Sequence, residues 1–198
     1  MPPTPSIAVF ASGRGSNLAA LFAAHDRGDL SVPIALVISN NSAAQALALA
    51  LARDVPTAHI SAKTHADPAE AVLAALRGVD ASILVLAGYM KLLDPRVVRA
   101  FSGRIINIHP APLPRFGGPG MYGMRVHEAV LSSGVSETGP TVHLVEEHYD
   151  NGTVLAFRPI EVRADDDAEA LATRVLEAEH DLLWRVLEET YGPSAAID

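Results

Sequence analysis

Apolar and polar residues follow two alternating patterns along the first half of the chain. Short apolar runs flanked by turn-forming residues have the length of buried strands. These runs cover residues 7–11, 33–39, 57–60, 83–87 and 104–108. Between them, apolar positions recur every three or four residues, as on the buried face of a helix. The predicted helices begin near residue 16 and cover residues 43–53 and 68–76. Such alternation indicates an α/β, Rossmann-like fold, in which helices cover both faces of a mostly parallel, doubly wound sheet in three layers.

The first helix shows the clearest periodicity. Leu18, Leu21, Phe22 and His25 are spaced at i, i+3, i+4 and i+7, which places them on one face of a helix. Gly28 is placed to end that helix. We therefore expect these four side chains to face the core.

The second half of the chain contains a long loop. Residues 110–123 include four Pro and four Gly, a composition that interrupts both helical and strand patterns. The elements predicted after it are a helix over 125–131, a hairpin of strands over 141–146 and 154–162, and a closing helix over 168–191. Because no repeat, linker or low-complexity segment divides the chain, we expect a single domain over residues 1–198.

Composition and charge narrow the functional classes. The 198 residues, 49% of them hydrophobic, are enough for one buried core. A formal net charge of -8 and scattered Lys and Arg residues argue against nucleic-acid binding. No apolar stretch approaches the roughly 18 residues of a membrane-spanning helix. The amino terminus lacks the pattern of a signal peptide, and cysteine is absent. We expect a cytoplasmic protein without disulfides or membrane contacts, which acts on small molecules as a monomer or a homodimer.

A glycine-containing segment, Ser12-Gly-Arg-Gly-Ser-Asn17, lies between the first strand and the first helix. Glycines let a backbone approach a ligand, and the free N–H groups at a helix start attract an anion, so the segment suits a phosphate. The simpler alternative is a strand-to-helix turn in which Ser16 caps the helix. A dinucleotide-binding loop would need a third glycine near position 18 and an acidic residue after the second strand, and both are missing. A Walker loop is excluded because no Gly-Lys-Ser/Thr follows.

A polar pair, Asn107 and His109, closes the strand that opens into the long loop. Residues two apart on an extended chain share one face, while Ile108 between them faces the core. Pro110 favours an extended backbone at His109, which holds the imidazole in one direction. Ligands of open α/β sheets bind beyond the carboxyl ends of the strands, so this pair is a candidate site rather than a core feature.

Three further features carry weaker signals. Asp150-Asn-Gly152 is a turn signal between two predicted strands. His143, which alternates with apolar neighbours, fits a simple cross-strand partner. Glu179 lies on the apolar stripe of the closing helix, where a carboxylate needs a partner. That partner is either a cationic ligand amine or a nearby arginine such as Arg174.

Taken together, these segments resemble the phosphoribosylglycinamide formyltransferase family, and their order and spacing run through nearly the whole chain. The segments that carry the resemblance are Ser12-Gly-Arg-Gly-Ser-Asn17, Leu86-Ala-Gly-Tyr-Met-Lys91, Asn107-Ile-His-Pro-Ala-Pro-Leu-Pro114, Thr138-Gly-Pro-Thr-Val-His143 and Asp150-Asn-Gly152. Asn-x-His-Pro and Asp-x-Gly are shared by the wider group of formyltetrahydrofolate enzymes. Ser-Gly-x-Gly-Ser-Asn distinguishes the phosphoribosylglycinamide enzymes from the rest of that group better than these two motifs do. The resemblance as a whole implies a formyltransferase fold.

The resemblance also implies a set of ligand contacts. Gly15, Ser16 and Asn17 would hold the phosphate of phosphoribosylglycinamide, and Glu179 would receive its amine. The implied folate contacts are Met90, Lys91, Leu92, Leu93, Asn107, Tyr149 and Asp150, with Lys63 and His65 as candidates for the folate tail. Two features depart from the family pattern: Lys91 stands where Arg is frequent, and the loop 116–123 is longer and richer in glycine than expected.

The implied reaction is transfer of formyl from 10-formyltetrahydrofolate to the glycinamide amine in purine biosynthesis, without a metal. Asn107 would donate a hydrogen bond to the oxyanion of the tetrahedral intermediate, and a protonated His109 would act as general acid. Asp150 would pair with His109 and raise its pKa. The alternatives are a 10-formyltetrahydrofolate hydrolase, a formyltransferase acting on another small amine, and a folate-binding protein without turnover.

Overall fold

The computed structural model describes residues 5–146 and 150–193. Its strands are β1 (Ile7–Phe10), β2 (Ile34–Ser39), β3 (Thr57–His59), β4 (Ile83–Leu86), β5 (Ile105–His109), β6 (Glu137–Thr138), β7 (Thr141–Leu144), β8 (Val154–Phe157) and β9 (Ile160–Glu161). Its helices are α1 (Ser16–Arg27), α2 (Gln45–Leu51), α3 (Pro68–Gly78), α4 (Pro95–Ala100), α5 (Met124–Ser132) and α6 (Ala168–Tyr191).

Seven strands form one twisted sheet in the order β3-β2-β1-β4-β5-β7-β8. The first five of these run parallel, and β7 and β8 are antiparallel additions at one side. The predicted α/β fold with a mostly parallel sheet is therefore confirmed. The chain leaves β1 toward β2 on one side and later returns to β4 on the other. Such a reversal of strand order opens a crevice at the carboxyl ends of the strands.

The core lies on both faces of the sheet. Alternate residues of β1 divide between the faces: Ile7 and Val9 pack with α1, α2 and α6, whereas Ala8 and Phe10 pack with α3 and α4. A third apolar cluster joins the loop after β5 to α5 and the first half of α6. The helices on one face, the sheet and the helices on the other face form the three layers that the alternating pattern predicts.

The structure divides one predicted strand and adds a helix that was not predicted. The predicted strand 154–162 is two strands, because Pro159 follows β8 and has no N–H for the ladder; β9 pairs instead with β6. The helix α4 was not predicted, since six residues are too few for a periodic signal. Its start is marked locally by Asp94, whose carboxylate accepts a hydrogen bond from the Arg96 N–H.

The predicted core position of His25 is also wrong. His25 lies in the last turn of α1, where residues 25–27 are all exposed. A basic side chain at this end of a helix interacts favourably with the helix dipole without being buried. Leu18, Leu21 and Phe22 are buried as predicted, and Gly28 ends the helix. Among the described residues, no helix is both long and apolar enough to cross a lipid bilayer.

Candidate active site

Asn107 and His109 lie at the carboxyl end of β5 and share one face of the strand. Ile106 and Ile108 point to the opposite face and pack in the core with α1 and α6, as the alternation predicts. His109 is only 4% exposed, and Asn107 is half-buried. The polar pair therefore stands where a parallel sheet presents its ligand-binding edge.

His109 is held from two directions. Its Nε2 lies 2.8 Å from the carbonyl oxygen of Phe116, so this nitrogen carries the proton and donates it. Its Nδ1 lies 3.9 Å from Oδ2 of Asp150, which is close enough for the carboxylate to attract a protonated imidazole but too long for a hydrogen bond. The structure therefore brings Asp150 to His109, as the sequence predicts, but without the expected direct hydrogen bond.

The net shift of the His109 pKa is opposite to the prediction. Burial lowers the pKa of His109 below 6.5, although the Asp150 carboxylate and the Phe116 carbonyl both act to raise it. The predicted influence of Asp150 is thus present, but desolvation of the imidazole outweighs it. The expectation that His109 stays charged near neutral pH is wrong for the protein without ligand.

Asp150 also fastens the long loop over the site. It has a left-handed backbone conformation, with φ of 48°, and its Oδ2 accepts a hydrogen bond of 2.8 Å from the Gly118 N–H. Gly117 permits this approach, because a Cβ there would lie 2.5 Å from Leu113 Cδ2 and 2.8 Å from Asp150 Cβ. The glycine-rich loop is therefore in contact with the catalytic candidates.

His143 belongs to the same cluster. It stands opposite Asn107 in the β5–β7 ladder, so its prediction as a cross-strand partner is confirmed. Its Nδ1 donates to the Leu144 carbonyl at 2.9 Å, which leaves Nε2 to accept a hydrogen bond of 3.0 Å from the Asn107 side-chain amide. Burial lowers the pKa of His143 and keeps it neutral, and Asp150 Oδ1 lies 3.6 Å from its Nε2.

The turn before α1 starts the helix with a glycine and without a capping side chain. The N-cap is Gly15, in the left-handed conformation with φ of 78°, and no side chain caps the helix. The predicted capping role of Ser16 is therefore wrong, because Ser16 is already the first helical residue. A Cβ at Gly15 would lie 2.9 Å from Ala46 Cβ, so the turn also packs closely against α2. The first N–H groups of a helix have no partner within it.

Asn17 and Glu179 connect α1 with α6. The Asn17 amide donates a hydrogen bond of 2.7 Å to Glu179 Oε2, and both side chains are buried. The suggested structural partner of Glu179, Arg174, binds Asp166 instead, with two hydrogen bonds of 2.6 Å. Burial raises the pKa of Glu179 to about 7, and the bond from Asn17 opposes this shift only in part.

The residues assigned to folate by resemblance occupy different environments. Met90, Lys91 and Leu92 are exposed on the loop after β4, whereas Leu93 is buried in the core with α3 and α4. Lys63 is exposed in the turn between β3 and α3, together with the half-buried His65. Tyr149 lies outside the described residues.

Several contacts of the site have no counterpart in the sequence prediction. The Phe116 carbonyl and the Gly118 amide are backbone groups, which every residue carries. His127 on α5 is buried and close enough to His109 for their charges to interact, and burial lowers its pKa. The available signal was its position on α5, three residues before the apolar Val130, which places the two side chains on one face of the helix. Residues 5–146 and 150–193 contain no group of three or more His, Asp or Glu side chains that could hold a metal ion.

Comparison with known proteins places the chain in a class and then in a family. The class that the fold and site define is the formyl transferases: the family model described as Formyl transferase matches residues 6–187. A phosphoribosylglycinamide formyltransferase from Haemophilus influenzae is 34% identical over 92% of this chain and 85% of its own length. A solved structure, glycinamide ribonucleotide transformylase 1 from Geobacillus kaustophilus, has a TM-score of 0.88 and 36% identity, covering 96% of this chain and 100% of that one.

A plant relative, the chloroplastic phosphoribosylglycinamide formyltransferase of Vigna unguiculata, is 41% identical over 92% of this chain. The chain spans 59% of the length of that relative. The chain belongs to the phosphoribosylglycinamide formyltransferase family.

Proposed function

We propose that the protein transfers the formyl group of 10-formyltetrahydrofolate to the amine of 5-phosphoribosylglycinamide, a step in purine biosynthesis. The observation that carries this proposal is the convergence of Asn107, His109 and Asp150 at the carboxyl end of β5. The names of the bacterial and plant relatives support formyl transfer to phosphoribosylglycinamide. The left-handed turn at Gly15 before α1 supports a phosphate-bearing acceptor.

The reaction begins when the neutral glycinamide amine attacks the formyl carbon and the carbonyl electrons move to oxygen. Asn107 is oriented for this step, because one N–H of its amide is held by His143 and the second is left to donate to the oxyanion. A single donor of this kind lowers the activation free energy by roughly 2.7 to 4 kcal/mol. The intermediate then breaks the bond between carbon and the folate N10, and the proton of the amine passes to that nitrogen.

His109 is suited to respond to the charge that develops. Burial lowers its pKa, so it is uncharged before reaction, while Asp150 and the Phe116 carbonyl are already placed to stabilise its protonated form. Negative charge on a neighbouring oxyanion adds to their effect. His109 therefore takes up the proton that the amine loses, is stabilised as imidazolium beside the oxyanion, where stabilisation accelerates the reaction, and then passes that proton to the folate N10.

The remaining candidates divide between the two substrates. Gly15, Ser16 and Asn17 would bind the phosphate, and the buried carboxyl of Glu179 would accept a hydrogen bond from the amine. The folate would lie against the exposed loop of Met90, Lys91 and Leu92, within reach of Asp150, with no metal required. The seven-stranded sheet with helices packed on both of its faces supports a single domain. The cytoplasmic location and the monomeric or homodimeric state stay predictions.

A spectrophotometric assay with 10-formyltetrahydrofolate and a panel of amines tests the proposal. We expect formyl transfer to 5-phosphoribosylglycinamide to exceed both transfer to other small amines and formate release without an amine. Formate release that outpaces transfer would identify a hydrolase. A higher kcat/KM with a different amine would identify that amine as the acceptor. Folate binding without turnover would indicate a binding protein.

A further inference from the structure

Ser12, the residue that opens the phosphate turn, joins three loops at the carboxyl edge of the sheet. Its hydroxyl donates a hydrogen bond of 2.5 Å to Asn40 Oδ1 in the loop after β2. The same hydroxyl accepts a hydrogen bond of 2.8 Å from the Met90 N–H in the loop after β4. Its backbone is tied in the same way, since its N–H donates to the Gly88 carbonyl and its carbonyl accepts from the Asn41 side chain, both at 3.1 Å.

The two bonds of the hydroxyl depend on each other. A serine hydroxyl has one proton and two lone pairs, so donation to Asn40 fixes the direction of the proton and turns a lone pair toward the Met90 N–H. A shift of either loop therefore changes the geometry of both bonds. Ser12 is half-buried, and water competes less for these bonds there than at an exposed position.

We propose that Ser12 is a positioning residue that couples the phosphate turn of residues 13–17 to the folate loop of residues 88–92. This inference rests on the proposed function, which assigns the two segments to different substrates. Ser12 acts through Met90 and Asn40, and in this way it fixes the distance between the acceptor amine and the formyl donor. Misplacement by a fraction of an ångström at such a site lowers the rate of reaction more than it lowers binding.

Coupling between two sites is reciprocal, so it can be measured by binding alone. Tetrahydrofolate lacks the formyl group and cannot react, which makes it a suitable partner ligand. Calorimetric titration of 5-phosphoribosylglycinamide, with and without saturating tetrahydrofolate, gives the factor by which one ligand strengthens the other. We expect positive coupling in the wild type, a factor close to one in Ser12→Ala, and recovery in Ser12→Thr, which keeps the hydroxyl. The kcat of Ser12→Ala should fall by roughly five- to tenfold, as for the loss of a neutral hydrogen bond, with smaller changes in either KM.

The chain offers a matched control at the opposite end of the same two strands. Ser82 joins β4 to the segment before β1: its hydroxyl accepts from the Ser6 N–H at 3.0 Å and donates to the Ser6 carbonyl at 3.3 Å. Ser82→Ala therefore removes a comparable link between β1 and β4, away from the site. We expect it to leave both the coupling factor and kcat unchanged.

Several results would overturn the role of Ser12: no coupling in the wild type, unchanged coupling in Ser12→Ala, or an equal loss in Ser82→Ala. If Ser12→Ala does not fold, Asn40→Ala removes only the acceptor of the hydroxyl and should weaken the coupling; unchanged coupling there also overturns the proposal. Coupled binding without formyl transfer would refute the proposed function but leave Ser12 in its role. Wild-type protein that binds neither ligand would refute both.

Discussion

His109 and Glu179 are both buried ionisable side chains, 4% and 8% exposed, but their surroundings differ. His109 has the Asp150 carboxylate 3.9 Å away and a backbone carbonyl at 2.8 Å, and both favour its charged form. The Glu179 carboxylate instead accepts a hydrogen bond from the neutral Asn17 amide. The first site can therefore acquire charge during a reaction, whereas the second is suited to receive a cation or donor from a ligand.

Replacing His109 removes the group that we propose as the proton carrier of the reaction and should have the largest effect. We expect His109→Ala to lower kcat by roughly 10²- to 10⁴-fold, the usual contribution of a positioned acid or base. Steady-state kinetics with both substrates would measure this loss. His25→Ala, at an exposed histidine of α1, is the control and should keep full activity. A loss below roughly tenfold would exclude His109 as the acid.

Removing the charge next to His109 makes the two regions alike. Asp150→Asn keeps an oxygen to accept the Gly118 N–H but removes the carboxylate that raises the pKa of His109. The His109 pKa, already below 6.5 because of burial, should fall further, and kcat and kcat/KM should fall together by roughly 10²-fold. An NMR titration of His109 in both proteins measures the pKa. If the His109 pKa is the same in both proteins, the role of Asp150 is limited to holding the loop through Gly118.

Glu179→Gln tests the second region, where only a neutral amide opposes the effect of burial on the pKa. The pKa of Glu179 is raised from 4.5 to about 7, so between these values the folded protein keeps a proton that the unfolded chain has lost. Stability due to this group therefore falls as pH rises through this window. Relative to Glu179→Gln, the wild-type free energy of unfolding should decrease by about 3 kcal/mol across it.

Urea unfolding of both proteins at several pH values measures this difference, with the exposed Glu177→Gln as control. A difference that does not vary with pH would show that Glu179 is ionised when buried. The KM for the ribonucleotide should rise in Glu179→Gln, while the KM for the folate should stay unchanged. An equal rise in the two KM values would show that Glu179 does not contact the acceptor.

Gly117→Ala tests the loop contact that only the His109 region has. The added Cβ would overlap Leu113 and Asp150, so we expect a loss of about 1 to 3 kcal/mol in unfolding free energy, as for an overpacked site, and a lower kcat. Gly78→Ala, at the end of α3 with open space around the position, is the matched control. Equal stability of the two variants would mean that the loop moves aside without cost.

The elements in which apolar residues recur at a regular spacing were predictable from the sequence. The parallel strands, α1 and α6 have long or regular apolar patterns, and Asn107 and His109 follow from strand alternation. Backbone partners were not predictable, because the Phe116 carbonyl and Gly118 amide leave no mark in a sequence. The sign of the His109 pKa shift was missed for a related reason: the carboxylate could be read from a motif, but the depth of burial could not.

The bond between Asn17 and Glu179 joins residues that are 162 positions apart, and this separation orders events during synthesis. On a ribosome, β1, α1, β4 and β5 emerge long before α6. A nascent chain that ends before α6 already carries Asn107 and His109, but it lacks the carboxyl group assigned to the acceptor. Contacts of such long range form late. The part of the site that we propose for the acceptor is therefore completed in the last stage of folding, after the strand that carries His109 has been made.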